Sequence, residues 1–435
     1  MKIEYVTHAS LLCRTEQTTL LTDPFFFLSP MYATLIGHFP PRELAPAHFG
    51  TIDYLFSSHI HDDHCDENTL ALLRDRVKTV LLPGERPQLE ARYRHVGYTD
   101  IRLLAHGVTQ KLNDEMSVTC FWSDPVDTIL VVQLGDKTLI HVNDCRPTAA
   151  LMKEVGERFS VDYLFLLYTE AQVLLYPLLL DLPEEEIESM CVRKEEGFFA
   201  DRLSIIDAIA PRVVIPYSMT LSYFQPDQRW VNRHYRLTPP MFKQRLAAAR
   251  PDLACWVVEP GDVIETSTEA IEHYREESLW GRDVVEFEGN IAAYAETAIA
   301  DGTVPRFQPG EIDTIDAPFR SFLNDRMTRP LGPLLDGRKF LFHVVGATRR
   351  ASYLANFASS EVRTYGDGDS LPTDTFIEIT LPPAILQLTL ARAMDPFSVV
   401  HSHRIRFKRN GELPRQMWPR EEAFFYLDTY MALCE

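Results

Sequence analysis

Along the first part of the chain, apolar residues fall into short runs of strand length separated by stretches of helical spacing. Residues 1 to about 23 read as strands: Ile3 and Tyr5 alternate with polar neighbours, and Thr18-Thr19-Leu20-Leu21-Thr22 leads into Asp23-Pro24, which stops the second run sharply. The bulky Phe25-Phe26-Phe27 must then be buried or line a cavity. Residues 28 to 50 are rich in Pro, His and aromatics without periodicity and read as a long loop, the kind that often lies over a site. Tyr54-Leu55-Phe56-Ser57 has the character of a buried strand. Glu67 to Arg76 has helical spacing, Lys78 to Leu82 is a strand, Glu85 to His95 a helix and Ile101 to Ala105 a strand. Three strands follow in succession, Met116 to Trp122, Thr128 to Leu134 and Thr138 to Val142, with a hairpin turn at Asp136-Lys137 after Gly135. Then come an amphipathic helix (Thr148 to Phe159), a buried strand (Asp162 to Tyr168), a mostly helical stretch from Glu184 to Ile209, a strand from Arg212 to Pro216, and a strand from Ala254 to Val258. Such alternation implies sheet layers covered by helices, an α/β unit closing near residue 265.

Beyond it the pattern changes. Residues 266–335 are polar and helix-prone with Pro and Gly breaks. From Lys339 the strands read as antiparallel: Phe340 to Val345, Ala351 to Phe357, Val362 to Tyr365 and Phe376 to Thr380. A helix from Pro382 to Met394, a strand from Val399 to Phe407 and a terminal helix from Arg420 to Leu433 complete a smaller α+β domain over 336–435. Asp367, Asp369 and Glu378 fall at calcium-loop spacing, but Pro372 and Leu371 stand where such a loop wants glycine and an oxygen; a hairpin turn explains Gly366-Asp367-Gly368 better.

Composition narrows the partners. A length of 435 residues suits two or three domains, and 46% hydrophobic with 24% charged residues is ordinary for globular chains. The formal net charge of −19 argues against nucleic acid or an anionic membrane. Seven scattered cysteines without a C-x-x-C pair suit a reducing compartment and exclude a cysteine-ligated cluster of the usual spacing. The first residues enter a strand pattern at once, without a signal-peptide core, and the most apolar stretch, Val173 to Leu182, is too short to span a bilayer. A cytoplasmic location is expected; oligomeric state cannot be read.

The chemistry concentrates in Ser58-His59-Ile60-His61-Asp62-Asp63-His64, directly after the run that ends at Ser57. If strand geometry continues, His59 and His61 project from one face and can share a metal ion, while Asp63 and His64 fall on the following turn and can address a second. Asp144 follows the buried run Thr138 to Val142 and faces the same end of a sheet, where a carboxylate bridging two ions would sit. Asp127 lies just before another strand with Asp124 nearby; an aspartate at a strand end is usually a turn residue, and Asp124 reads so by default. His8, in Thr7-His8-Ala9-Ser10, is by default a satisfied structural histidine; alternatively His8 or Asp23 hydrogen-bonds a metal ligand and fixes its tautomer. His401 and His403 alternate along a strand, with nothing nearby to complete a site.

These motifs, with Thr7-His8-Ala9 and Asp23-Pro24 ahead of His59-x-His61-x-Asp63-His64, resemble the metallo-β-lactamase superfamily. Asp127-Thr128-Ile129-Leu130-Val131-Val132, Val142-Asn143-Asp144-Cys145-Arg146-Pro147 and Val214-Ile215-Pro216-Tyr217 are similar to the non-Rieske part of the CMP-N-acetylneuraminate hydroxylases. The resemblance implies an αββα sandwich over residues 1–265 with a dinuclear centre at a sheet edge, followed by the smaller C-terminal domain. It makes His59, His61 and Asp144 ligands of one ion and Asp63, His64 and Asp144 ligands of the other. Hydrolases of the superfamily supply a third histidine shortly before the bridging aspartate, where this chain offers Asp124 or Asp127, and a late histidine where it has Tyr217 and Ser218. A carboxylate in place of an imidazole makes the donor set harder, favouring iron over zinc, with manganese also accommodated.

Three readings follow. The first is a non-haem iron hydroxylase of a small substrate, with Asp127 as a ligand and Phe25 to Phe27 and the 28–50 loop walling the pocket. Since the chain has no cysteine and histidine set for a Rieske cluster, electrons would come from a separate electron-transfer protein. The second is a zinc or manganese hydrolase of an amide, lactone or phosphodiester, and the third a scaffold with a degraded site. Arg146, beside Asp144, could pair with a substrate carboxylate or phosphate, or serve a salt bridge.

Overall fold

The structure is a computed structural model that describes residues 1–26, 36–123, 127–169, 176–218, 221–235, 237–329, 335–391, 402–410, and the single residues 400 and 430. Phe27, Asp124 and His401 lie outside the described residues, as do most of the expected terminal helix and the end of the expected helix to Met394.

Two sheets stack face to face. The first has eight strands, in spatial order Ala270–Glu272, Val263–Glu265, Lys2–Thr7, Ser10–Arg14, Thr19–Thr22, Ile52–Phe56, Val77–Pro83 and Ile101–Leu104. Pairing is antiparallel as far as Thr19–Thr22 and parallel beyond it. The second has seven, in order Ala254–Cys255, Val213–Tyr217, Tyr163–Leu167, Lys137–His141, Thr128–Leu134, Met116–Trp122 and Thr109–Lys111.

The alternation of side chains along each strand builds the layers. Ile3, Tyr5, Leu11 and Cys13 meet Leu130, Val132 and Phe165 in the core between the sheets, whereas Val6 and Leu12 point outward onto Leu70, Leu73, Leu89 and Tyr93 of the helices Glu67–Leu73 and Pro87–Val96. On the other side Ile129 and Val131 pack on Met152, Val155, Ile205 and Phe242 of the helices Ala149–Arg158, Glu184–Ile209 and Pro239–Ala249. Strands buried on both faces need near-continuous apolar runs, which is what the sequence carries. The result is an α/β sandwich in which helices cover both outer faces. The first sheet's pairing runs on to Glu272.

A third sheet orders Glu361–Tyr365, Arg350–Asn356, Lys339–Val345, Ile377–Leu381 and Arg406–Arg409. It is mixed rather than antiparallel: Lys339–Val345 runs parallel to Ile377–Leu381, because the chain crosses back instead of turning at Gly366-Asp367-Gly368. Those residues form a turn, with the Gly366 amide donating to Asp369 Oδ2 at 2.7 Å, but no hairpin, since among the described residues Glu361–Tyr365 is an edge strand paired with Arg350–Asn356 alone. The last strand begins at Arg406, later than the expected Val399, which is not among the described residues. Its core takes in Tyr176, Leu179 and Leu180 from the stretch after Tyr163–Leu167, and Leu180 bridges to Phe407. The helix Val284–Ala300 packs Phe287, Ile291 and Ala295 against Phe25, Phe39, Leu167 and Trp280, over one end of the sandwich. Among the described residues no helix is long and apolar enough to cross a membrane.

Candidate metal centre

Five strands of the two sheets end at one rim, and each delivers polar side chains there. The turn after Lys2–Thr7 carries His8, Thr19–Thr22 runs into Asp23, Ile52–Phe56 into Ser57 to His64, Lys137–His141 into Asn143 and Asp144, and Val213–Tyr217 into Ser218. His8, Asp23, Asn143 and Ser218 all adopt left-handed backbone, with φ of 46°, 41°, 50° and 71°. Non-glycine residues in that region carry strain of order 1–3 kcal/mol each and tend to cluster at functional sites.

His59 and His61 converge by a route other than the expected one. The strand stops at Phe56; His59 lies on irregular backbone and His61 caps a single helical turn, Asp62–Cys65, that carries Asp63 and His64. Two groups of ligand-type atoms result, each within a sphere an ion could fill: His59, His61 and Asp144, and His8, Asp63 and His64. His59 Nε2 lies 2.7 Å from His61 Nδ1, 3.8 Å from Asp144 Oδ1 and 3.6 Å from Asp127 Oδ1. In the second group His8 Nε2 is 3.2 Å and His64 Nε2 3.9 Å from Asp63 Oδ2. Asp144 links the two, its other oxygen lying 3.3 Å from His64 Nε2.

Behind the groups, a small network fixes tautomers. Asp23, fully buried, accepts the Ser58 amide at 2.7 Å and the Ser58 hydroxyl at 2.8 Å on one oxygen. Having donated its proton, the Ser58 hydroxyl accepts from His59 Nδ1 at 3.0 Å, which leaves His59 Nε2 with its lone pair toward the rim. His64 Nδ1 faces the same Asp23 oxygen at 3.5 Å, and its Nε2 also points to the rim. The Thr128 hydroxyl donates to the Ser58 carbonyl at 2.8 Å, and the Tyr217 hydroxyl accepts the Asn143 amide at 2.9 Å, holding the backbone ahead of Asp144.

Four carboxylates here face imidazoles. Burial alone would depress His64, but Asp144 and Asp63 hold it well above the ordinary histidine value. Burial and then the neighbouring His64 push His59 down to about 3. Burial works to raise Asp144, Asp63 and Asp23, yet the histidines hold all three low, His64 foremost in each. The rim therefore calls for positive charge, and a divalent cation supplies it without a proton. His8 Nε2, His64 Nε2 and Asp144 Oδ1 are buried atoms with no hydrogen-bond partner, which fits ligation.

The sequence reading placed His8 outside the ligand set; the fold brings it beside Asp63. It missed His38, whose ring lies 5.5 Å from that of His8 and 4.6 Å from Phe25, and His141, which donates from Nε2 to the Ala9 carbonyl at 2.7 Å and lies 3.6 Å from Asp23. His141, the last residue of an apolar strand pointing to the same rim, was the available signal. Arg146 is exposed, its charge felt by Tyr176 and Arg202.

The fold and this rim define a metallo-β-lactamase-type α/β sandwich bearing a metal-binding cluster of His and Asp. Residues 2–166 match the family model described as "Beta-lactamase superfamily domain". A protein of Mycobacterium tuberculosis named for a Rieske 2Fe-2S cluster is 26% identical over 53% of this chain and 46% of its own length. Mouse cytidine monophosphate-N-acetylneuraminic acid hydroxylase is 20% identical over 61% and 47%. The chain thus spans about half the length of these curated relatives. A Streptomyces venezuelae hydroxylase acting on 4-amino-L-phenylalanyl carrier protein is 33% identical, over 23% of this chain and 19% of its own. A metal-dependent hydrolase of Salinibacter ruber is 29% identical over 37% and 70%. Among solved structures, a diiron β-hydroxylase from Streptomyces venezuelae aligns over 50% of this chain and 44% of its own at 23% identity and TM-score 0.37.

Proposed function

We propose that the chain is a dinuclear metalloenzyme, an iron-dependent hydroxylase of a small substrate that takes its electrons from a separate protein. His59, His61 and Asp144 would hold one ion, with Asp127 beside it, and His8, Asp63 and His64 the other, with Asp144 between them. The observation that carries the choice of iron is Asp127: a carboxylate stands 3.6 Å from His59 Nε2, where hydrolases of the superfamily offer an imidazole, so the donor set is hard and anionic. The kinship with hydroxylases supports the same direction.

An iron pair at this rim would supply activation of dioxygen for attack on a substrate C–H bond. The chain's own part is positional. Asp23 and Ser58 set the imidazole tautomers, Tyr217 and Asn143 present Asp144, and Phe25 and His38 pack against the His8 ring and hold it in place.

The second reading, a hydrolase, is favoured by the Salinibacter relative, 70% of whose length is matched. Metal analysis of protein from iron-supplemented cells, paired with oxygen-uptake measurements, separates them. About two irons per chain and reductant-dependent oxygen consumption are expected; stoichiometric zinc, with turnover of generic esters or phosphodiesters under nitrogen, would overturn the choice.

A further inference from the structure

Beside the rim lies a cavity of about 420 Å³ between Phe26, His38 and Pro41 to Glu43 on one side and the helix Val284–Ala300 on the other. That volume is within the range of small-ligand sites. Its inner end is Thr7 and His38; Thr7 precedes His8, and the His38 ring is 5.5 Å from that of His8, which in turn is 5.3 Å from that of His64. The cavity thus ends one side chain short of His8, with His38 between them. Phe26, Tyr274 and Tyr294 give it aromatic walls.

The charges sort by depth. Two guanidiniums line the cavity, but each already has a carboxylate behind it: Arg42 pairs with Glu4 at 2.6 Å in a pair almost wholly buried, and Arg275 pairs with the buried Glu259 at 3.5 Å. Both guanidiniums also sit over the Tyr274 ring, at 5.4 and 5.0 Å, so their charge is spent on fixed neighbours. Two further carboxylates line the cavity, Glu43 and Asp301, both exposed. Asp301 accepts the Thr303 amide at 2.9 Å, and neither carboxylate is paired with a cation among the described residues. Both act on Tyr294: burial first, then Asp301 and Glu43, raise its phenol above the ordinary value. The cavity therefore has an inner end one ring away from His8, aromatic walls and an outer end with two carboxylates that no cation among the described residues pairs.

We infer that this cavity is the substrate pocket of the centre and that it takes a molecule with an aromatic-sized body and a protonated amine. The ammonium sits between Glu43, Asp301 and the Tyr294 hydroxyl, and the opposite end is presented to the His8 side of the rim. The ligand class rests on the cavity alone; the statement that its inner end is the reacting end rests on the dinuclear-metal reading.

The test is binding of three matched probes to the full chain by saturation-transfer NMR: phenethylamine, neutral 2-phenylethanol and anionic 3-phenylpropionate. In metal-free protein, phenethylamine is expected to bind about tenfold more tightly than 2-phenylethanol, with 3-phenylpropionate weakest, as two exposed carboxylates acting together can supply. In the Glu43→Gln/Asp301→Asn double variant, both positions being on the surface, that preference should fall below about twofold. Equal affinity for the three probes in the wild-type chain, or an undiminished preference in the double variant, would overturn the inference. Manganese-loaded protein should further broaden the phenyl protons of bound phenethylamine. Failure of manganese to bind would count against the metal centre, while the charge preference in metal-free protein would still decide the pocket.

Discussion

Replacing Asp23 by asparagine removes one charge at nearly constant volume from the group that sets two imidazole tautomers. In the native arrangement one Asp23 oxygen accepts both Ser58 donors, at 2.7 and 2.8 Å, and faces His64 Nδ1 at 3.5 Å; the other faces the protonated Nε2 of His141 at 3.6 Å. An amide can keep its oxygen toward Ser58 only by turning its NH2 toward His141, where two donors then meet. Hydrogen bonds to charged groups contribute about 1.5–3 kcal/mol each, but the buried carboxylate also carries a desolvation cost that Asp23→Asn relieves. A net loss of about 2 kcal/mol in metal-free stability is expected. Metal affinity should fall by about 10- to 100-fold, because the partners that orient ligating histidines are worth that much. Chelator-competition titration gives the affinity and chemical denaturation of the metal-free chain gives the stability. An affinity within twofold of wild type, with stability reduced, would refute the orienting role and leave Asp23 a packing residue.

Other substitutions probe the same rim and its support. Tyr217→Phe strands the buried Asn143 amide, now held at 2.9 Å, and should cost about 1–3 kcal/mol in chemical denaturation and weaken metal binding; unchanged stability would show that the amide finds another partner. His59 is held at about 3 against a usual 6.5, so below pH 6.5 the unfolded chain takes up a proton that the fold refuses, and stability falls as pH drops from 6.5 toward 3. At pH 4.5 this contribution is up to about 2.7 kcal/mol, two units at 1.36 kcal/mol each. His64, raised, acts in the opposite sense, its stabilisation being full below pH 6.5 and lost as pH rises. Metal-free His59→Asn should therefore lose the acid-side decline relative to wild type, and parallel curves would contradict the assignment. Gly156→Ala would place a methyl 2.6 Å from the Ala208 carbonyl oxygen where two helices cross, for a loss of about 1–3 kcal/mol by denaturation; a gain would mean the helices part freely.

The layers of the sandwich were legible because strands buried on both faces need unbroken apolar runs, and runs such as Thr128 to Leu134 stand between clear turns. The cluster from His59 to His64 and Asp144 was legible for a related reason: each follows directly on such a run, so both had to emerge at a sheet edge. His8 was not. A histidine on a turn carries no local sign that a distant Asp63 will meet it, and only the pairing of Lys2–Thr7 and Thr19–Thr22 into the same sheet as Ile52–Phe56 brings them together. The geometry of His59 and His61 was misjudged because alternation reports facing only while a strand lasts, and this one stops at Phe56. Local pattern likewise found the C-terminal strands but not the parallel pairing of Lys339–Val345 with Ile377–Leu381. Nor could it show that Tyr176, Leu179 and Leu180 would complete that core, since periodicity marks a buried face and not what covers it.

The two-cation rim is tested most directly by an anomalous difference map at the iron absorption edge, from crystals of protein purified from iron-supplemented cells. Two peaks are expected, one among His59, His61 and Asp144 and one among His8, Asp63 and His64, with Asp144 reaching both. No peak at the rim, or a single ion held by one group alone, would contradict it.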